Sequence, residues 1–252
     1  IDDVMGVIEI LSSRREYTKL NPFVVLLGKG EHQITSSFYN RGLFEEIEIE
    51  TMLAFTRSNI TFLGKGKDTT TILGGFVIEN LENITFKQMT MTNTSHNGRR
   101  GYDMNMHMIN AHVEMTDVAI AQCTSNAYAV NIRESRSNYW STSTDWSTLV
   151  ATRCDFSNNF GGISVSNGSA KLTDCTFKSN SMDGICASNN SDVHLHGETT
   201  AIANNARYGI HALDHAKVFI HLPSHHNTSY NNGNEDRFTR NGGTTRITNV
   251  VD

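Results

Sequence analysis

The sequence predicts an all-β solenoid: a right-handed parallel β-helix with coils of about 22 residues and an amphipathic helix over its first coil. Two observations carry this. Three stretches lie on one another: Cys154-Asp155-Phe156-Ser157-Asn158-Asn159 then Gly162-Ile163, Cys175-Thr176-Phe177-Lys178-Ser179-Asn180 then Gly184-Ile185, and Thr200-Ala201-Ile202-Ala203-Asn204-Asn205 then Gly209-Ile210. An apolar pair two residues apart, an Asn and a Gly-Ile step thus recur every 21 to 25 residues. The pair also extends upstream, as Ile60/Phe62, Ile84/Phe86 and Val118/Ile120, giving successive spacings of 24, 34, 36, 21 and 25.

Residues two apart on a strand share a face, so each pair marks an inward-facing strand. A second strand begins at the Gly-Ile step, with Val130/Ile132, Ile163/Val165, Ile185/Ala187 and Ile210/Ala212 inside. A third carries Ala170/Leu172, Val193/Leu195 and Val218/Ile220. Leucine-rich repeats share the period but need a leucine lattice that this chain lacks. Asn126, Asn159, Asn180 and Asn205 suit a side-chain ladder at one corner, since Asn tolerates left-handed backbone and bonds locally.

The termini are read as caps that shield strand edges. Ile1, Val4, Met5, Ile8 and Leu11 follow helical spacing over a cap at 1–21, with Asp2 and Asp3 near the positive end of the helix dipole. Pro22 precedes an entry strand, and coils run over 22–222. Asn59-Ile60-Thr61-Phe62-Leu63-Gly64-Lys65-Gly66 with Thr71-Ile72-Leu73-Gly74 resembles the first full coil of many right-handed β-helix proteins. Pro223 ends a strand, and Thr245–Val250 returns as a closing strand within a C-terminal cap at 223–252. The whole chain is read as a single domain.

A net charge of −5 and the lack of a basic stripe exclude a nucleic-acid coat. No apolar run has the length of a membrane span. With neither a leader nor a start Met, the chain is expected to begin inside a longer product. Cys154 and Cys175 share an inward column, where parallel stacking holds their Cβ atoms too far apart for a relaxed disulfide. They are expected to be free thiols, which leans toward a reducing compartment. Six Asn-x-Ser/Thr sequons, at Asn59, Asn83, Asn93, Asn167, Asn189 and Asn227, weigh the other way.

Function is sought where the coils are interrupted, near 95–103 and 135–147, on either side of one outward face. Solenoid insertions collect on one face, often the binding face. The first holds His96, Arg99, Arg100, Tyr102 and Asp103; the second holds Tyr139, Trp140, Asp145 and Trp146. Between them the outward positions should run His107, Asn131, Ser164, Cys186, His211 and, beside these, Ile109, Arg133, Ser166, Ser188, Leu213. A polar floor with aromatic walls suits an extended polysaccharide, and Arg99, Arg100 and Arg133 favour carboxylated or sulfated sugars. Equally, Trp140 and Trp146 could pin the long loop to the barrel. A second outward face carries Lys171, His194 and Phe219 beside Thr173, His196 and His221, with His225 and His226 beyond. No metal or other cofactor is expected. His196 and His221, neighbours on successive coils, come nearest to a zinc pair.

Over about 22–250 the repeat resembles the pectate-lyase-like superfamily, which holds lyases, hydrolases, esterases, epimerases and noncatalytic members. The resemblance implies the fold and leaves catalysis open. Pectin hydrolases of that superfamily carry an Asn-Thr-Asp element, an Asp-Asp pair, a Gly-His-Gly and an Arg-Ile-Lys. Here the nearest matches are Asn93-Thr94-Ser95, without the carboxylate, and Asp2-Asp3, in the cap. The calcium-binding acidic cluster of pectate lyases is also missing from the floor. The leading expectation is therefore noncatalytic recognition of an extended ligand, foremost a polysaccharide. A lyase for acidic polysaccharides would use His107, Tyr102 or His211 as base and Arg133 as the stabilising cation. A protein-interaction scaffold is the third reading.

Overall fold

The structure, a computed structural model, describes residues 1–41, 46–93, 105–123, 127–134, 146–223, 226–240 and 244–250, with the backbone alone for 38–41 and 46–49. It is a parallel β-helix. The coils run through three strand faces in a fixed order, two of them joining the first two faces in one long strand, and the face strands pair in parallel from coil to coil; the pair Phe38–Arg41 and Glu46–Ile49 is antiparallel and stands apart. Parallel crossovers of this kind are right-handed almost without exception.

The first-strand face stacks Phe23–Leu26, Ile60–Leu63, the opening halves of Ile84–Thr92 and His112–Ala121, then Ser147–Thr152, Gly168–Thr173, Asp192–His196, Lys217–Ile220 and Arg246–Asn249. The second-strand face includes Thr70–Leu73, the closing halves of those two long strands, Asp155–Ser157, Thr176–Lys178, Ala201–Ala203 and Ser229–Tyr230. The third-strand face runs Met52–Ala54, Gly75–Glu79, Met106–Ile109, Tyr128–Arg133, Gly161–Ser166, Ile185–Ser188, Tyr208–Leu213 and Glu235–Arg240. Glu235–Arg240 continues the solenoid through a stretch whose polar composition had concealed a strand.

The inward columns form one core along the axis. Phe156 and Phe177 stack face to face at 4.9 Å with planes 9° apart, and Phe177 sits in register with Ile202. The upstream columns differ from the sequence reading. Ile84 and Phe86 lie beside Val113 and Met115, whereas Val118 and Ile120 lie beside Met89 and Met91. Ile60/Phe62 and Ile84/Phe86 therefore stack in the Ala170/Leu172 column, on what is here the first-strand face, and not in the Phe156/Phe177 column on the second. Both faces carry the same apolar-x-apolar pattern. In the long strands the corner is turned within the strand, at Gln88 (φ 57°) and Asp117 (φ 54°), so no break in the sequence marks it. The stretch 59–74 is correspondingly part of a second coil, because Phe23–Leu26 already pairs with Ile60–Leu63.

The corners are held by asparagine. Asn180 Nδ2 donates to Asn205 Oδ1 (2.8 Å) and to the Phe156 carbonyl, and Asn205 Nδ2 donates in turn to Asn232 Oδ1 (2.9 Å) and the Phe177 carbonyl. One coil upstream of Asn159 the ladder slot is Cys123, whose backbone N–H donates to Asn159 Oδ1; Asn126 lies outside the described residues. The left-handed backbone falls one position earlier, at Gln122, Asn158, Ser179, Asn204 and Asn231 (φ 56–60°). The ladder residues themselves donate and accept.

Helix Val4–Ser12 covers the first coil and buries Met5 and Ile8. Asp2 does not serve the helix dipole alone. Its carboxylate accepts from the Ser36 and Thr35 N–H groups (2.8 and 3.0 Å), pinning the cap to the coil, and these bonds outweigh burial to hold its pKa down at about 2. All four cysteines are free. No helix among the described residues is long and apolar enough to cross a membrane.

Candidate functional site

The third-strand face carries the floor in the expected register. His107 lies opposite Asn131, Asn131 opposite Ser164, Ser164 opposite Cys186 and Cys186 opposite His211, with Phe238 beyond. Beside it runs Ile109, Arg133, Ser166, Ser188. Neighbours along such a ladder stand about 4.8 Å apart. Asn131, Arg133, Ser164, Ser166, Cys186 and Ser188 are half-buried. His107 and His211 are closed off at 6% and 5% exposure, although both face outward. They occupy opposite ends of the column, four ladder steps or about 19 Å apart, so one sugar linkage cannot touch both.

The two interruptions adjoin strands of this face along the chain. One leaves the chain between Asn93 and Asn105, before Met106–Ile109; the other lies between Glu134 and Trp146, after Tyr128–Arg133. Arg99, Arg100, Tyr102, Tyr139 and Trp140, with His96, Asp103 and Asp145, lie outside the described residues. Trp146 is described and is 39% exposed.

The structure adds a polar network that the repeat alone did not announce. Tyr128 lies flat across Gly161, its partner in the ladder; a Cβ there would stand 2.4 Å from Tyr128 Cδ1. The ring thereby reaches past one coil, and its hydroxyl donates to Asp183 Oδ2 at 2.9 Å. The same oxygen lies 3.1 Å from His211 Nδ1, and Asp183 Oδ1 accepts from the Tyr208 N–H. Asp183 is 1% exposed. Cys186 Sγ lies within 4.8 Å of the Asp183 and His211 ligand atoms. Burial, then the Asp183 charge, pushes the Cys186 thiol up to about 11; burial, then Cys186 and after it Asp183, push the Tyr128 phenol well above its usual range. His211 is walled by Tyr208 and Phe238 (ring centroids 4.7 and 5.3 Å), and its Nε2 is buried without a hydrogen-bond partner. In the tautomer whose one ring proton sits on Nδ1, toward the carboxylate, Nε2 is an oriented acceptor. One signal was available in advance: the residue before the Gly-Ile step reads Gly161, Asp183 and Tyr208, an acid where its neighbours carry none.

At the other end, burial and then the Arg133 charge hold the His107 imidazole down at about 3. A base with a folded pKa below its unfolded one binds fewer protons when folded. Its contribution to stability is therefore complete above about 6.5 and is lost as pH falls toward 3. His107→Gln is expected to flatten the pH dependence of the urea midpoint across that window. An unaltered slope would place the acid sensitivity elsewhere.

The second face holds a histidine cluster. His196 and His221 stack at 4.3 Å with planes 9° apart, and His194 Nδ1 lies 2.9 Å from His221 Nε2. The sequence paired only His196 with His221. His194 joins them diagonally, because the strand alternation puts residues 194 and 196 on one side.

No family model matches the sequence, and no curated protein matches it. Among solved structures the chain is similar to the A-module of mannuronan C-5 epimerase AlgE6 from Azotobacter vinelandii, at 12% identity and a TM-score of 0.34 over 97% of this chain and 87% of that one. It is also similar to the thermostable pectate lyase PL 47, at 8% identity and a TM-score of 0.40 over 80% of this chain and 56% of that one. A third likeness, at 9% identity and a TM-score of 0.24, is to the AlgE4 A-module from the same organism, covering 98% and 94% of the two chains.

Proposed function

We propose that this β-helix binds an extended acidic polysaccharide along its third-strand face. The observation that carries the reading is the unbroken outward column His107–Asn131–Ser164–Cys186–His211, with Arg133, Ser166 and Ser188 in the next column. Amide and hydroxyl groups repeating at about 4.8 Å offer hydrogen bonds to successive sugar residues along a chain. Arg133 presents a planar fork suited to a carboxylate or sulfate. The exposed indole of Trp146, beside the second interruption, adds a stacking surface for a sugar ring.

Affinity electrophoresis in gels cast with alginate, pectate or a sulfated glycan tests this. At least one gel should retard the protein, less so at high salt. Arg133→Ala should weaken retention about tenfold, the scale of one charge-assisted bond. Mobility unaffected by every gel would overturn the reading.

One observation favours a second, catalytic reading: the Tyr128–Asp183–His211 chain orients an imidazole beside a phenol. A lyase or epimerase needs a base at the carbon α to the uronate carboxylate and a group that returns the proton. Such a reaction requires Phe238 or Tyr208 to move aside, because His211 Nε2 is enclosed. Ultraviolet absorbance from an unsaturated uronate product, lost in His211→Gln, would support that role.

A further inference from the structure

We infer that His194, His196 and His221 bind one divalent transition-metal ion of the zinc class. His194 and His196 stand two residues apart on strand Asp192–His196, so both imidazoles leave the same face. Strand Lys217–Ile220 stacks on it in register, from Asp192 opposite Lys217 to Leu195 opposite Ile220. His221 follows directly and lands beside His196 and diagonally from His194. Each ring offers a nitrogen, and the three nitrogens lie within 4.8 Å of one another. This converges three ligands from only two neighbouring strands.

The distances suit an ion. His194 Nδ1 and His221 Nε2 are 2.9 Å apart, which at present lets them share one proton. Two nitrogens at about 2.0–2.1 Å from a metal are separated by about 2.9 Å for a right-angle site and about 3.3 Å for a tetrahedral one. An ion can replace the shared proton once the rings, now nearly parallel, turn their lone pairs toward one point, and His196 is near enough to join from the His221 side. An all-imidazole set selects zinc, copper or nickel over calcium and magnesium, which take oxygen ligands. All three rings are half-buried, open enough for entry.

The surroundings are built to suit. Phe219 packs against His194 (centroids 4.8 Å, planes 19° apart), giving the cluster one apolar wall. Asp192, on the same face two residues before His194, keeps a buried Oδ1 that has no hydrogen-bond partner. Its negative charge offsets that of an incoming cation. Three protein ligands leave a fourth position for water or an exogenous anion.

The test uses the full chain stripped with a chelator and titrated with zinc by calorimetry, and with cobalt(II) for its visible ligand-field bands. One ion per chain is expected, with cobalt bands of imidazole character that zinc bleaches. His194→Ala, His196→Ala and His221→Ala, each checked for folding by circular dichroism, should each weaken binding by at least about ten- to hundredfold. The absence of saturable binding would overturn the inference. So would binding that survives all three substitutions and is lost in His226→Ala, which would place the ion on the tail instead.

Discussion

Replacing Asp183 with Ala is expected to destabilise the protein by about 3–5 kcal/mol, the range for removing one partner of a buried polar pair. The carboxylate accepts from the Tyr128 hydroxyl and the Tyr208 N–H and meets His211 Nδ1, all in a site with 1% exposure. Its removal takes an acceptor from three groups at once, of which the His211 ring is buried and the two tyrosines are half-buried. Asp183→Asn, which keeps one acceptor oxygen, should lose roughly half as much. Urea unfolding gives the first readout. Thiol chemistry gives a second: Asp183 is the charged neighbour that helps hold the Cys186 pKa at about 11, after burial itself. In Asp183→Ala the thiol should react faster with an alkylating probe at mildly alkaline pH. A loss below about 1 kcal/mol with unaltered thiol reactivity would mean that the network carries little of the fold.

Truncating Phe177 to Ala should cost a similar amount, about 3–5 kcal/mol, for a different reason. Phe177 is fully buried, stacked on Phe156 below and in register with Ile202 above. Gly162 sits so close that an added Cβ would stand 3.0 Å from Phe177 Cδ1 and 2.2 Å from the Gly184 carbonyl oxygen. The neighbouring backbone is therefore already tight, and the coil cannot collapse into the vacated volume. Phe156→Ala and Phe177→Ala should be non-additive, since each removes half of one ring stack. Chemical denaturation of the two single variants and the double variant checks this. Full additivity would argue against direct coupling through the stack.

The coil order and the outward column were legible because parallel stacking repeats a two-residue alternation at a fixed offset. Ser164, Cys186 and His211 could be placed opposite one another from the Gly-Ile steps alone. The upstream register was not legible, because Ile84-Thr85-Phe86 satisfies the inward pattern of either of two faces and the Asp117 corner hides inside a continuous strand. The Tyr128–Asp183 contact was illegible for another reason. It joins positions 55 residues apart across a coil that contributes only Gly161. Nearest-neighbour stacking gives no hint of a contact that skips a neighbour. His194 was placed on the right face but left out of the His196–His221 pair, because stacking gives rows and columns but not diagonals.

That skipped neighbour bears on how the molecule comes apart. A solenoid whose layers touch only the adjacent layer can fray inward from an end, one coil at a time. Here Tyr128 is bolted to Asp183 two windings on, and Asp183 to His211 on the next, so those windings open together or not at all. Amide exchange should then show one shared protection level in the strands Tyr128–Arg133, Gly161–Ser166, Ile185–Ser188 and Tyr208–Leu213, with a gradient in the strands outside them.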